Sequence, residues 1–336
     1  MRLSKLFAVV VSGFCGVLAA SAAGCGGDDG SGGSGGGSGG SGGSGAGNTT
    51  SGPACDPACE ANQGVESACI AIVDNKEATK FGLRMAQLTL EKPAGLANPL
   101  IAGVIDDGVT MNLEDCFLTG TGTFSWLLEF DTATGTLKTG GGKPQKDPTA
   151  GYCFVNETLD GTTVAPIEVD AAPDASGKFS VEVGGNVVVP IFLTDDASTF
   201  ILLPLRNAKI LDATLTADNN CIGNYNGDKL TPEDLCEPSD VTRFTNGASL
   251  DGHVTLEEAD AVEISALGGK SLCSYLTGKS DPADPNKCPR DANGVITATG
   301  DWCSSTDAAG TAECSDAYKL GAKFAASAVK VNGDCN

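Results

Sequence analysis

Twelve cysteines fall between residues 55 and 335, at Cys55, Cys59, Cys69, Cys116, Cys153, Cys221, Cys236, Cys273, Cys288, Cys303, Cys314 and Cys335. An even set of this density belongs to an oxidising compartment, and its expected state is a β-rich or loop-rich fold stapled by disulfides. Spacing leaves the connectivity open. Closeness along the chain favours Cys221 with Cys236, Cys273 with Cys288, and Cys303 with Cys314. Metal ligation competes at Cys55-x3-Cys59, whose spacing zinc tolerates, but no matching Cys or His pair accompanies it.

Export requires a signal, and the N-terminus has the pattern of one. Arg2 and Lys5 precede an apolar segment from Leu6 to Ala20, too short for a comfortable membrane span of ~20 residues. Small residues follow at Ala22-Ala23-Gly24, and then Cys25. From Gly26 to Pro53 the chain is mostly glycine and serine, with only Asp28 and Asp29 charged, and reads as a flexible coil with an r.m.s. span of roughly 30 Å. With these residues the chain resembles a bacterial lipoprotein precursor, and its tether composition is similar to that of myxobacterial envelope lipoproteins. The resemblance implies cleavage after Gly24, acylation of Cys25 as the new N-terminus, and membrane anchoring through that lipid. Gly26, in place of aspartate, implies sorting to an outer membrane. The expected organisation is a signal peptide over 1–24, a lipidated cysteine and disordered tether over 25–54, a β-rich domain over 55–220, and a Cys-rich mixed β/helical domain over 221–336.

Strand signals dominate the first of these domains. Phe81, Leu83 and Met85 alternate with small or polar neighbours, as do the residues of Lys178–Val183, and Phe124–Phe130 is an apolar aromatic run. Further extended segments are read at Asn186–Leu193 and Phe200–Leu205. Gly140-Gly141-Gly142 reads as a loop. Short segments bounded by Gly, Pro, Asp and Asn predict an antiparallel sandwich or barrel, with little helix before residue 230. After Cys221 the texture becomes partly helical. Thr231-Pro232 has a helix-start pattern, Thr255-Leu-Glu-Glu258 is a capping box, and Ser271–Leu276 suits another helical turn. Tyr318–Val331 reads as a closing strand.

Counting removes most catalytic classes. With one histidine, His253, polyhistidine zinc sites cannot form. No Gly-x-Ser-x-Gly elbow supports a serine triad, and no glycine-rich phosphate loop follows a strand. The net charge of −22 repels phosphate backbones, so nucleic acid is not an expected partner, whereas cations are. The strongest ligand pattern is the later part of an EF-hand-like loop, with Ser249, Asp251, Thr255 and Glu258 as calcium ligands and Gly252 at the sharp turn. An imperfect companion runs from Asn224 to Asp228. Trp126, inside an apolar run, reads as core, whereas Trp302, in a polar region, reads as exposed.

The expectation is therefore a lipid-anchored envelope protein serving as a non-catalytic binding or structural module, with no cofactor other than calcium. Its partners are the membrane, through the N-terminal lipid, and an envelope or extracellular ligand. The alternatives are a tethered extracellular hydrolase acting on polysaccharide and a calcium-modulated adhesion protein.

Overall fold

Alternating side chains become long strands. The computed structural model describes residues 69–97, 99–113, 118–226, 243–264 and 268–335. These comprise β1 (Lys80–Lys92), α1 (Pro99–Val109), β2 (Ser125–Asp131), β3 (Thr136–Gly142), β4 (Tyr152–Phe154), β5 (Ile167–Asp170), β6 (Lys178–Phe192), β7 (Phe200–Thr214) and β8 (Ala248–Thr255). Then come α2 (Leu256–Ala261), α3 (Leu272–Thr277), a small hairpin of β9 (Trp302–Cys303) and β10 (Ala308–Ala309), β11 (Ala317–Val329) and β12 (Val331–Asp334). The fold is mainly β, as expected.

One 13-stranded sheet holds most of these elements, in the order β6-β7-β8-β11-β1-β2-β3-β4-β12, with β5 on the free side of β3 and with the β9–β10 hairpin and the two-residue strand Cys221–Ile222 on β11. All its ladders are antiparallel except β4 with β12, which run parallel. The sheet curls until β6 packs against β5 and β3 with no ladder between them. Its concave face collects Phe81, Leu83, Met85, Phe130, Val183 and Phe324 into one core. Phe130 stacks on Phe81 at 5.2 Å and meets Phe179 edge-on at 5.3 Å, so the central strands β1 and β2 and the edge strand β6 share that core. A void of about 30 Å³ among Met85, Trp126, Val187 and Leu205 is too small for a lipid or drug-sized ligand.

This topology corrects the boundary expected at residue 220. β11 lies between β8 and β1, so segments from either side of that point belong to one sheet and one compact unit. The closing strand is instead central, because its alternate residues Leu320, Ala322, Phe324 and Ala326 complete the concave core. The glycine loop expected at 140–142 is also corrected. Gly140, Gly141 and Gly142 end β3 and are buried, since a Cβ on Gly141 would run into the Pro190 ring of β6 and one on Gly142 would press on Leu127.

Helix α1 is the element that alternation concealed. Pro99 stands at its first position, and Ile101, Ile105 and Val109 recur every fourth residue, with the partly buried Ile101 and Ile105 resting on the core. The capping box forms as read: the Thr255 side chain accepts from the Glu258 amide, and Glu258 reaches back to the Thr255 amide. Ser271 caps α3 in the same way, accepting from the Ser274 amide. The expected helix start at Thr231-Pro232 lies outside the described residues.

Four disulfides are present among the described residues. Cys273–Cys288 and Cys303–Cys314 are as expected. The Cys221–Cys236 pairing is overturned, because Cys221 bonds to Cys69 across 152 residues of sequence. Strand pairing explains the exchange: Cys221 opposes Ser327 on β11, and the Ile72 amide donates to Ala328 of the same strand. Cys153 joins Cys335 alongside the parallel β4–β12 ladder. Cys25, Cys55, Cys59, Cys116 and Cys236 lie outside the described residues.

Candidate functional site

Strand β8 divides its side chains between two faces. Ala248, Leu250 and Val254 enter the core, which leaves Ser249, Asp251, His253 and Thr255 on the convex face. The EF-hand-like loop expected over 247–258 is therefore corrected to a strand followed by α2. Alternation of Ala-Leu-Gly-Val with Ser-Asp-His-Thr was the signal for it. Asp-Gly together with the capping box imitated the end of a calcium loop.

The neighbouring strands supply cations to this row. Arg206 of β7 lies opposite His253 and Lys209 opposite Asp251, while Lys319 of β11 lies opposite His253. Lys319 Nζ donates to Asp251 Oδ2 at 2.6 Å, and its ammonium lies 4.4 Å from the centre of the Trp302 ring. Arg206 Nε donates to both carboxylate oxygens of Glu258, at 2.8 and 2.9 Å. Burial alone would raise the Glu258 carboxyl; hydrogen bonds from Arg206 and Thr255 outweigh it and hold the group below the usual range. Of the four expected calcium ligands, Asp251 and Glu258 thus each hold a protein cation, and Thr255 serves as helix cap.

The β9–β10 hairpin, closed by Cys303–Cys314, covers this surface. Asp307 at its turn accepts from Trp302 Nε1 at 3.1 Å and from Lys209 Nζ at 3.3 Å, and lies 3.2 Å from His253 Nδ1. These contacts overcome the effect of burial and lower the Asp307 carboxyl. His253 is 1% exposed, and both ring nitrogens are without a hydrogen-bond partner, the approach to Asp307 being misaligned for one. Trp302, partly buried, is a wall of this cluster. Trp126 is core, as read, and donates to Thr139 Oγ1 at 2.9 Å.

A His–Asp pair invites a catalytic reading, which needs a nucleophile bonded to the base. The hydroxyl of Ser304 instead donates to Asp316 at 2.6 Å, and that of Ser305 lies by the Cys303 and Cys314 sulfurs. Two further groups bring cysteines near a carboxylate, Asp260 with Cys273 and Cys288, and Asp316 with Cys303 and Cys314. Both cysteine pairs are disulfides and offer no thiolate. Asp260 is taken up by Ser271 at 2.8 Å, the Cys288 amide at 2.7 Å and Arg290 at 2.9 Å. The cluster's chemistry is that of a clasp between sheet and hairpin.

Burial lowers the His253 pKa from its ordinary value, against a smaller upward pull from the Asp307 charge. Between the lowered folded value and about 6.5 the unfolded chain binds more protons, so stability is complete above that window and lost as pH falls through it. The expected result is a stability that falls from pH 7.5 to 5.5, with a slope of at most ~1.4 kcal/mol per pH unit, the limit for one proton. His253→Gln flattens the drop; an unchanged profile in that variant refutes the assignment. His253 is the chain's only histidine, so no other imidazole contributes.

No known family model, curated protein or solved structure matches this chain.

Proposed function

We propose that the chain is an envelope lipoprotein, anchored through a diacylated Cys25, whose tether carries a β-rich binding or structural module outward from an outer membrane. The observation that carries the reading is Cys25 itself, set between the Leu6–Ala20 apolar segment with its small-residue exit and the Gly/Ser run. Cross-linking by four disulfides supports passage through an oxidising compartment. One acyl chain anchors marginally, and more than one anchors stably, at ~0.8 kcal/mol per buried CH₂. The excess of acid over base favours a ligand other than nucleic acid in the envelope or outside the cell.

Growth with radiolabelled palmitate tests the anchor. The wild-type chain incorporates label and partitions with membranes, whereas Cys25→Ala does neither. Label retained in Cys25→Ala overturns the reading.

A further inference from the structure

His253 stands in a row that crosses three strands, with Arg206 of β7 as its ladder partner on one side and Lys319 of β11 on the other. A neutral imidazole separates these two cations. A protonated one adds a third positive charge between them, and like charges opposite one another across a ladder repel. The carboxylates around the row are engaged elsewhere: Asp251 with Lys319, Glu258 with Arg206 and the Thr255 cap, Asp316 with the amide and hydroxyl of Ser304, and Asp307 with Lys209 and Trp302. Asp307 also touches the imidazole, but the two groups are misaligned for a hydrogen bond.

The β9–β10 hairpin covers this ring and is lightly held. Across residues 301–311, Cys303 is the one buried residue. The hairpin meets the sheet through a single ladder pair, Trp302 with Ala317, and through the Asp301 carboxylate, which accepts from the Lys319 amide at 2.8 Å. Ser304 on Asp316, Asp307 on Lys209 and the Trp302 ring on the Lys319 ammonium complete its hold. The Gly310 amide on the Asp301 carbonyl and the Cys303–Cys314 bond close the hairpin on itself. A segment with so little buried surface opens at a cost well below that of global unfolding.

We infer that this hairpin is an acid-released latch: protonation of His253 below neutral pH lifts residues 301–311 from the sheet while the concave core stays folded and Cys303–Cys314 stays closed. With the latch shut the imidazole faces Arg206, Lys319 and a dry protein surface, and with it open the ring faces water. Burial therefore holds the His253 pKa below its ordinary value in the shut state, against a smaller upward pull from Asp307, and the proton favours the open one. The latch is at full strength above about pH 6.5 and weakens as pH falls towards the lowered value. Against burial, hydrogen bonds hold the Asp307, Asp316 and Glu258 carboxyls below the usual range, so all three keep their charge through that window. Release bares His253 and frees Lys209 from Asp307 and Lys319 from the Trp302 ring.

None of this depends on the lipid anchor, so the test uses the untagged full chain carrying Cys25→Ala. Amide exchange corrected for intrinsic rates is followed by NMR at Lys319 and Ser304, whose bonds to Asp301 and Asp316 break on release, and at the β1 amides as a measure of global unfolding. The Lys319 and Ser304 amides are expected to be at least about tenfold less protected than those of β1. From pH 7.5 to 5.5 their protection falls several-fold, up to about tenfold, the limit for one imidazole with an open-state pKa near 6.5. His253→Gln removes that fall. His253 is the chain's only imidazole, so its titration in the unsubstituted position is read without ambiguity and keeps the test valid if the glutamine variant fails to fold. A midpoint below about 6.5 is expected. Hairpin protection equal to that of β1, protection independent of pH, a fall that persists in His253→Gln, or a His253 midpoint at or above the ordinary value each overturns the proposal.

Discussion

Arg84→Ala is expected to destabilise the protein by about 3–5 kcal/mol, read as a fall in the urea midpoint at unchanged slope. Arg84 is 1% exposed, and among the described residues its guanidinium has no carboxylate as a hydrogen-bond partner. Nε donates to Ser125 Oγ at 2.9 Å, one terminal nitrogen to the carbonyls of Met85 at 2.9 Å and Val109 at 2.7 Å, and the other to Phe124 at 3.0 Å and Gly122 at 3.4 Å. The Tyr152 ring lies 5.3 Å from the guanidinium carbon. Burial lowers the Arg84 pKa, and the carbonyl dipoles supply the stabilisation that water would otherwise give. This one side chain therefore ties the end of α1, the 122–124 segment and the start of β2 to β1. Removal strands those carbonyls and leaves a cavity. Arg84→Lys is expected to recover less than half of the loss, because three donors on one nitrogen cannot span partners arranged around a planar fork. A cost below about 1 kcal/mol for Arg84→Ala would show that the carbonyls find other donors.

The second large effect belongs to Cys69–Cys221. The bond closes a separation of 152 residues, and the chain-entropy relation gives about 5 kcal/mol for a loop of that size, against about 3 kcal/mol for the 11-residue separation of Cys303–Cys314. Both Cys69 and Cys221 are buried, so Cys69→Ser/Cys221→Ser also places two hydroxyls in an apolar setting. Unfolding under non-reducing conditions should rank the Cys69/Cys221 double variant well below the Cys303/Cys314 one. The reverse order would mean that the hairpin over His253, and not the fastening of residue 69 to the sheet, governs global stability.

What could be read in advance was short in range. Lys178–Val183 alternates within a few residues, and it became part of β6. Thr255 and Glu258 cap each other from three residues apart, and α2 begins there. Cys273–Cys288 and Cys303–Cys314 close separations of 15 and 11 residues, small enough for proximity to select them. The site was less legible. The spacing of Asp251 and Glu258 is local and legible, but their partners Lys319 and Arg206 lie 68 and 52 residues away. His253 stood out as the lone histidine, whereas its neighbour Asp307 was one acid among 43 acidic residues.

The sequence alone determined the local conformations, strand by alternation and helix by capping, and its cysteine number announced a disulfide-linked chain. Those properties depend on neighbours a few residues apart, where steric and hydrogen-bonding preferences act directly. Only the tertiary structure decided that β11 lies between β8 and β1, that Gly140–Gly142 is a packed strand end, that Cys221 belongs to Cys69, and that the sheet stops short of closing at Glu168–Asp170 and Ser180–Glu182. Each of these depends on which apolar faces meet across a hundred or more residues, and periodicity within one segment does not name its partner.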